Sequence, residues 1–207
     1  MRKELEHFNV GSYYGGDQEW FSDNWMRIGG CGAVTACDLC IYLARHRGMT
    51  ALYPFDPASV TKAQYVDFGM QMRPFLRPRA TGIDRTSIYV DGFGDYLDAR
   101  GAHPIVLGDF SGAADVGSAI EAIRDQIDRG FPVPYLMLMH RDKLLSDFFW
   151  HWFLLNGYDE NEREFRVKAV SYGESVWFDL RHLWKTGHRR KGGFITIRLN
   201  ENNEAAG

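Results

Sequence analysis

The run Ile28-Gly29-Gly30-Cys31-Gly32-Ala33-Val34-Thr35-Ala36-Cys37-Asp38-Leu39-Cys40-Ile41-Tyr42-Leu43-Ala44 sets the terms for the rest of the chain. Two glycines lead into Cys31, and small and apolar residues then continue without proline for about four helical turns. That pattern predicts a tight turn into a buried helix that starts at Cys31, runs to about Arg47 and stops at Gly48. A thiol in the first turn meets the positive end of the helix dipole and unpaired backbone N–H groups, both of which favour the thiolate. The flanking glycines leave room for a substrate backbone. A cysteine is equally at home as a small buried hydrophobe, so this run yields one fold element and one candidate nucleophile.

The remaining elements fall into two halves. Residues 1–30 carry Tyr13-Tyr14-Gly15-Gly16-Asp17-Gln18-Glu19-Trp20 and no sustained period, which predicts an irregular but ordered loop with its aromatics on the core. A second helix is expected over about 58–72, opened by Pro57 and ended by Pro74 and Pro78, and a third from Asp84 to Arg100, closed by Gly101. After Gly101 the pattern changes. His103–Leu107 predicts a short strand, and Asp115–Arg129 an amphipathic helix with Val116, Ile120, Ile123 and Ile127 on one face, capped by Gly130. Pro132–Met139, Phe149–Gly157, Glu164–Val170, Val176–Leu180 and Phe194–Leu199 read as strands of an antiparallel sheet. The tail is polar. One domain over 1–207 results: a loop at 1–30, a mainly helical half at 31–100, a mainly β half at 101–200 and the tail at 201–207. Helices first and strands later is an α+β order with a cleft between the halves.

Composition narrows the function. Hydrophobic residues make up 45% and charged residues 25%, as in ordinary globular domains. With a net charge of −3 no global field draws in nucleic acid or an anionic membrane. No apolar run reaches the roughly 20 residues of a membrane span, and the charged start Met1-Arg2-Lys3-Glu4 lacks a signal-peptide core. The three cysteines all lie between positions 31 and 40, too close for a disulfide framework. The expectation is a reduced, cytoplasmic protein with no membrane span and no nucleic-acid partner.

A thiol nucleophile needs a base, a group that orients the base, and donors for the oxyanion. Among seven histidines, His151 stands out inside Phe148-Phe149-Trp150-His151-Trp152-Phe153-Leu154-Leu155. A titratable ring in so apolar a strand has either a partner or a task. Cys37 and Cys40 form a Cys-x-x-Cys within one helix, with no second ligand pair at zinc spacing, so no metal is expected. Gly92-Phe93-Gly94 lacks the third glycine and the strand-to-helix context of a nucleotide loop, so no cofactor is expected. Arg181 to Lys191 is locally basic, as a solvated loop or as a seat for a substrate carboxylate or an acidic peptide.

Gly30-Cys31-Gly32 at a helix start, the helix-Gly-Phe-Pro-Val-strand passage over 119–137, and His151-Trp152 running into Asn156-Gly157-Tyr158-Asp159 together resemble the papain-like cysteine peptidases. The C39-like peptidases are the nearest match, over about residues 18–175. The resemblance implies Cys31 as nucleophile and His151 as general base and acid, acting on a peptide or a small amide. That family orients its histidine with an Asp or Asn on the following strand. Here, with the intervening turn centred near Asn161, antiparallel pairing sets Ser171 opposite His151; Val170 in that place would leave the ring without an orienter. Papain-like enzymes also draw an oxyanion donor from a Gln or Asn before the cysteine, for which Asn24 fits best in spacing and Gln18 is the alternative. The rival expectation is a catalytically impaired papain-fold module that binds a peptide or ligand.

Overall fold

The computed structural model describes residues 1–79 and 81–200; the expected polar tail at 201–207 lies outside the described residues. Helix α2 (Cys31–His46) is the centre of the molecule, with every residue from Cys31 to Ala44 buried. A helix that is apolar on nearly all sides must have neighbours on all sides. It packs against strands β5 (Val133–Met137) and β6 (His151–Glu160) and against helix α3 (Lys62–Met72). Its start is forced by the preceding helix, α1 (Asn24–Gly29), whose last turn closes with a bond from Gly30 N–H to the Met26 carbonyl. A Cβ on Gly30 would stand 2.2 Å from that oxygen, so this glycine serves the helix-to-helix break and not the passage of a substrate backbone. The far end stops as expected, with Gly48 in the left-handed region at φ +69°.

Helix α4 (Thr86–Ala99) precedes strand β4 (Ile105–Ser111), and helix α5 (Val116–Asp128) precedes β5. Strands β7 (Phe165–Ser171), β8 (Glu174–Asp179) and β9 (Gly193–Leu199) follow β6, with a short helix α6 (Leu180–Trp184) between the last two. The sheet runs in the order β4-β9-β5-β6-β7-β8, and every pairing along it is antiparallel. The protein is therefore a mixed α+β structure built on a mostly antiparallel sheet.

Three segments depart from expectation. Residues 1–30 are not only loop: β1 (Arg2–Glu4) pairs with β6 from Gly157 to Asp159, and β2 (Asn9–Val10) with β3 (Tyr13–Tyr14). An Arg-Lys-Glu strand carries no apolar period; its backbone pairing holds it together with polar contacts, Glu4 to Lys168 at 2.7 Å and Lys3 to Asp128 at 3.2 Å. Helix α3 begins at Lys62 rather than near 58, since Thr61 forms a capping box with Gln64 and outcompetes Pro57 as a start signal. The turn after β6 is centred beyond Asn161, whose side chain accepts from the N–H groups of Arg163 and Glu164 at 2.8 and 3.0 Å. A bulge at Asn156 then shifts the register between β6 and β7 by one residue.

Candidate active site

Cys31 and His151 line one cavity of about 400 Å³, at the N-terminus of α2 and the first residue of β6. No side chain caps α2, so its first-turn N–H groups are left to the Cys31 sulfur and the cavity beside it. The cavity wall also includes Gln18, Ile28, Gly29, Trp150 and Tyr172. Trp152, by contrast, is core: it stacks on Tyr89 with centroids 4.3 Å apart and donates to the Ile83 carbonyl at 2.7 Å. Of the tryptophans flanking His151, only Trp150 borders the cavity.

His151 is buried and held from two directions. Its Nε2 lies 2.7 Å from Ser171 Oγ. The contact is not the direct cross-strand pair anticipated. Leu154 faces Val170, and continuing that register sets Ser171 opposite Phe153, so His151 reaches it as a diagonal neighbour on the same face. From the other side, Tyr172 stacks on the imidazole at 4.7 Å with planes 5° apart. Its hydroxyl donates to the Asp147 carbonyl at 3.1 Å and sits 3.4 Å from Nδ1. Near-parallel stacking puts that hydroxyl over the face of the ring rather than in line with the Nδ1 lone pair.

Tyr172 was not legible as a site residue, yet a signal existed. Tyr172 and Gly173 have φ of +53° and +70° and join Ser171 to its partner Glu174. This is a two-residue hairpin with both central residues left-handed, a place that favours Asn-Gly. An X-Gly pair between two strands was the clue. Among the described residues Trp150 is the other left-handed residue that is not glycine, at φ +54°. Such conformations cost about 1–3 kcal/mol in bulky residues and tend to mark sites.

The electrostatics correct the expected thiolate. Burial pushes the Cys31 thiol up; hydrogen bonds from the backbone N–H groups of Trp152, Gly32 and Cys31 itself pull the other way without overcoming it. Burial also depresses His151 to about 4. Near neutral pH the two groups are therefore a thiol and a neutral imidazole. Cys31 stands at the N-terminus of α2 as expected, but desolvation of the buried thiol outweighs the dipole.

The oxyanion candidates separate. Asn24 is exposed on α1 and accepts from Arg27 at 3.1 Å, away from the cavity. Gln18 lines it, giving one amide N–H to the Arg27 carbonyl at 3.2 Å. A short 3-10 turn (Gln18–Trp20) followed by α1 folds the chain back, so Gln18 is nearer in space although farther in sequence. Cys37 and Cys40 are free and buried in the core, and among the described residues no His, Cys, Asp or Glu cluster could hold a metal ion. Also among them, no helix is long and apolar enough to cross a membrane. No protein-family model matches the chain, and no curated protein matches it.

Proposed function

We propose that this chain is a papain-like thiol hydrolase of the C39-like kind, acting on a peptide or a small amide. The observation that carries the reading is the junction of a helix N-terminal Cys31 and a strand His151 on one cavity, with His151 Nε2 engaged by Ser171. That engagement leaves Nδ1 to serve the thiol. A neutral imidazole is the correct form for a base that acts as substrate arrives. Nδ1 takes the thiol proton while Sγ bonds to the amide carbon, and the oxyanion falls to the first-turn N–H groups of α2 and to Gln18. The imidazolium then gives its proton to the leaving amine, and water, activated by the same ring, hydrolyses the thioester. Ser171 orients the ring in place of a carboxylate, with a weaker bond to the imidazolium.

A second reading, a papain-fold module that binds without turnover, is favoured by one observation. Among the described residues the in-line hydrogen bond of the His151 ring goes to Ser171, and none goes to Cys31. A peptide library followed by mass spectrometry separates the two. The hydrolase reading expects cleavage products from the native protein and a loss of about 10³-fold or more in His151→Ala and in Cys31→Ala. Products formed equally by both variants, or none from the native protein, would favour the binding module.

A further inference from the structure

Three segments far apart in sequence meet over the cavity. Arg190 donates to Asp84 Oδ2 at 2.5 Å and to the Asp84 carbonyl at 3.2 Å, both through Nη2. Its guanidinium lies over the ring of Trp150, 5.4 Å from the centroid. Trp150 is 40% exposed and left-handed at φ +54°, and it directly precedes His151. Arg190, Asp84, Trp150 and Arg79 all line the same cavity as Cys31. Of the whole basic segment 181–191, Arg190 alone reaches it.

Two arginines against one aspartate leave this wall with one net positive charge, in a protein whose net charge is −3. The pair with Asp84 does not consume Arg190. It occupies Nη2 and fixes the guanidinium plane, while no acceptor among the described residues meets Nε or Nη1. Nor does one meet the Arg79 side chain, which carries no ion pair among the described residues. A guanidinium held by a carboxylate and an aromatic face, with Nε and Nη1 each still free to donate, is prepared for a second anion. Asp84 itself shows that a carboxylate fits here, and Arg190 holds its carboxyl below the usual range.

We infer that the cavity recognises a carboxylate close to the reacting amide, through Arg190 with Arg79 beside it. The inference rests on the proposed hydrolase for which bond is reacting, but the anion seat stands on its own residues. The carboxylate is either an acidic side chain or a free chain terminus. Ile28 and Phe149, also on the wall, contact the carbon skeleton that joins carboxylate to amide. A purely structural Arg190–Asp84 strap would treat charged and neutral ligands alike.

The test is calorimetric binding to Cys31→Ala, which cannot turn over, with three probes of nearly one shape. N-acetylglutamate α-amide carries only the side-chain carboxylate, N-acetylglutamine only the α-carboxylate, and N-acetylglutamine amide neither. The expected result is that one acidic probe binds at least about tenfold tighter than the neutral one, and which of them does so identifies the source. Adding Arg190→Gln should remove most of that preference while changing the neutral probe less than about twofold. Arg190→Lys, which keeps the charge without the fixed guanidinium donors, should retain part of it, and Arg79→Gln should lower it further. Equal binding of all three probes, a preference that survives both Gln variants, or no binding at millimolar concentration overturns the inference. Because the read-out is binding, an unreactive Cys31 would sink the hydrolase and leave this result standing.

Discussion

Helix α2 carries two histidine clusters, and they are built in opposite ways. At its N-terminus, Cys31 and His151 border a cavity, and His151 is held by Ser171 and Tyr172. Two turns further on, Asp38 is sealed in the core at 2% exposure. It accepts from the Tyr65 hydroxyl at 2.6 Å and the Gly16 N–H at 3.1 Å, and His7 Nε2 stands 3.7 Å away. A Cβ on Gly15 would come within 2.9 Å of both Asp38 and His7, and one on Gly16 within 1.9 Å of Tyr65. The inner cluster is thus packed shut by glycines and clamps the N-terminal segment to α2. The outer one spends left-handed backbone to keep a ring upright beside open space. One helix supplies a fastener and a site, and what separates them is access.

The sharpest way to break this division is Asp38→Ala. It removes the shorter of two bonds from the Tyr65 hydroxyl, which keeps the Val34 carbonyl at 3.1 Å, and leaves the buried Gly16 N–H with no acceptor, an orphan that costs about 1–3 kcal/mol. The expected loss is about 3 kcal/mol or more in urea unfolding, with any turnover per folded molecule unchanged. A turnover loss exceeding the loss of folded protein would join the two clusters into one.

Next in size is a pH effect confined to the outer cluster. Burial depresses His151 from 6.5 to about 4, so between those values the unfolded chain binds a proton that the folded chain refuses. Stability from this group is intact above about pH 6.5 and falls toward pH 4, by about 3 kcal/mol in all. Urea unfolding near pH 7 and near pH 4.5 should show His151→Gln losing less than the native protein by most of that amount. Equal losses would place His151 in contact with water.

Tyr172→Asn has the smallest expected effect and the most specific sign. Asn suits a left-handed hairpin position better than Tyr, so the hairpin should gain up to about 1 kcal/mol, while the imidazole loses its stacking partner. Unfolding and peptide cleavage measured on the same variant should move in opposite directions. Lower stability together with unchanged cleavage would make Tyr172 ordinary packing.

How much of this was legible in the sequence follows from range. Helix α2 between Gly30 and Gly48, helix α5 after Asp115 and strand β6 around His151 depend on local period and local caps, and all three appear close to where those signals put them. The start of α3 is local too, but the Thr61–Gln64 capping box outweighs Pro57 as its signal. Strand β1 was not legible at all, because its partner lies more than 150 residues away, as the pairing of Arg2 with Asp159 shows. Ser171 was reached for an incomplete reason: the turn runs further and the bulge at Asn156 takes one residue back, so the contact is diagonal. Gln18 over Asn24, and the neutral state of Cys31, needed enclosure in three dimensions, which spacing along a chain does not carry.

The pairing of Cys31 with His151 is the central claim, and iodoacetamide labelling across pH, assigned by mass spectrometry, tests it most directly. Cys37 and Cys40, buried and pushed up by desolvation, serve as internal controls that stay unlabelled in the folded protein. If Nδ1 accepts the Cys31 proton, His151→Ala should slow Cys31 labelling near neutral pH about tenfold or more and move its midpoint upward. Identical rates and midpoints in the two proteins would mean that the thiol does not sense the imidazole, and the account of this site as a catalytic pair would be wrong.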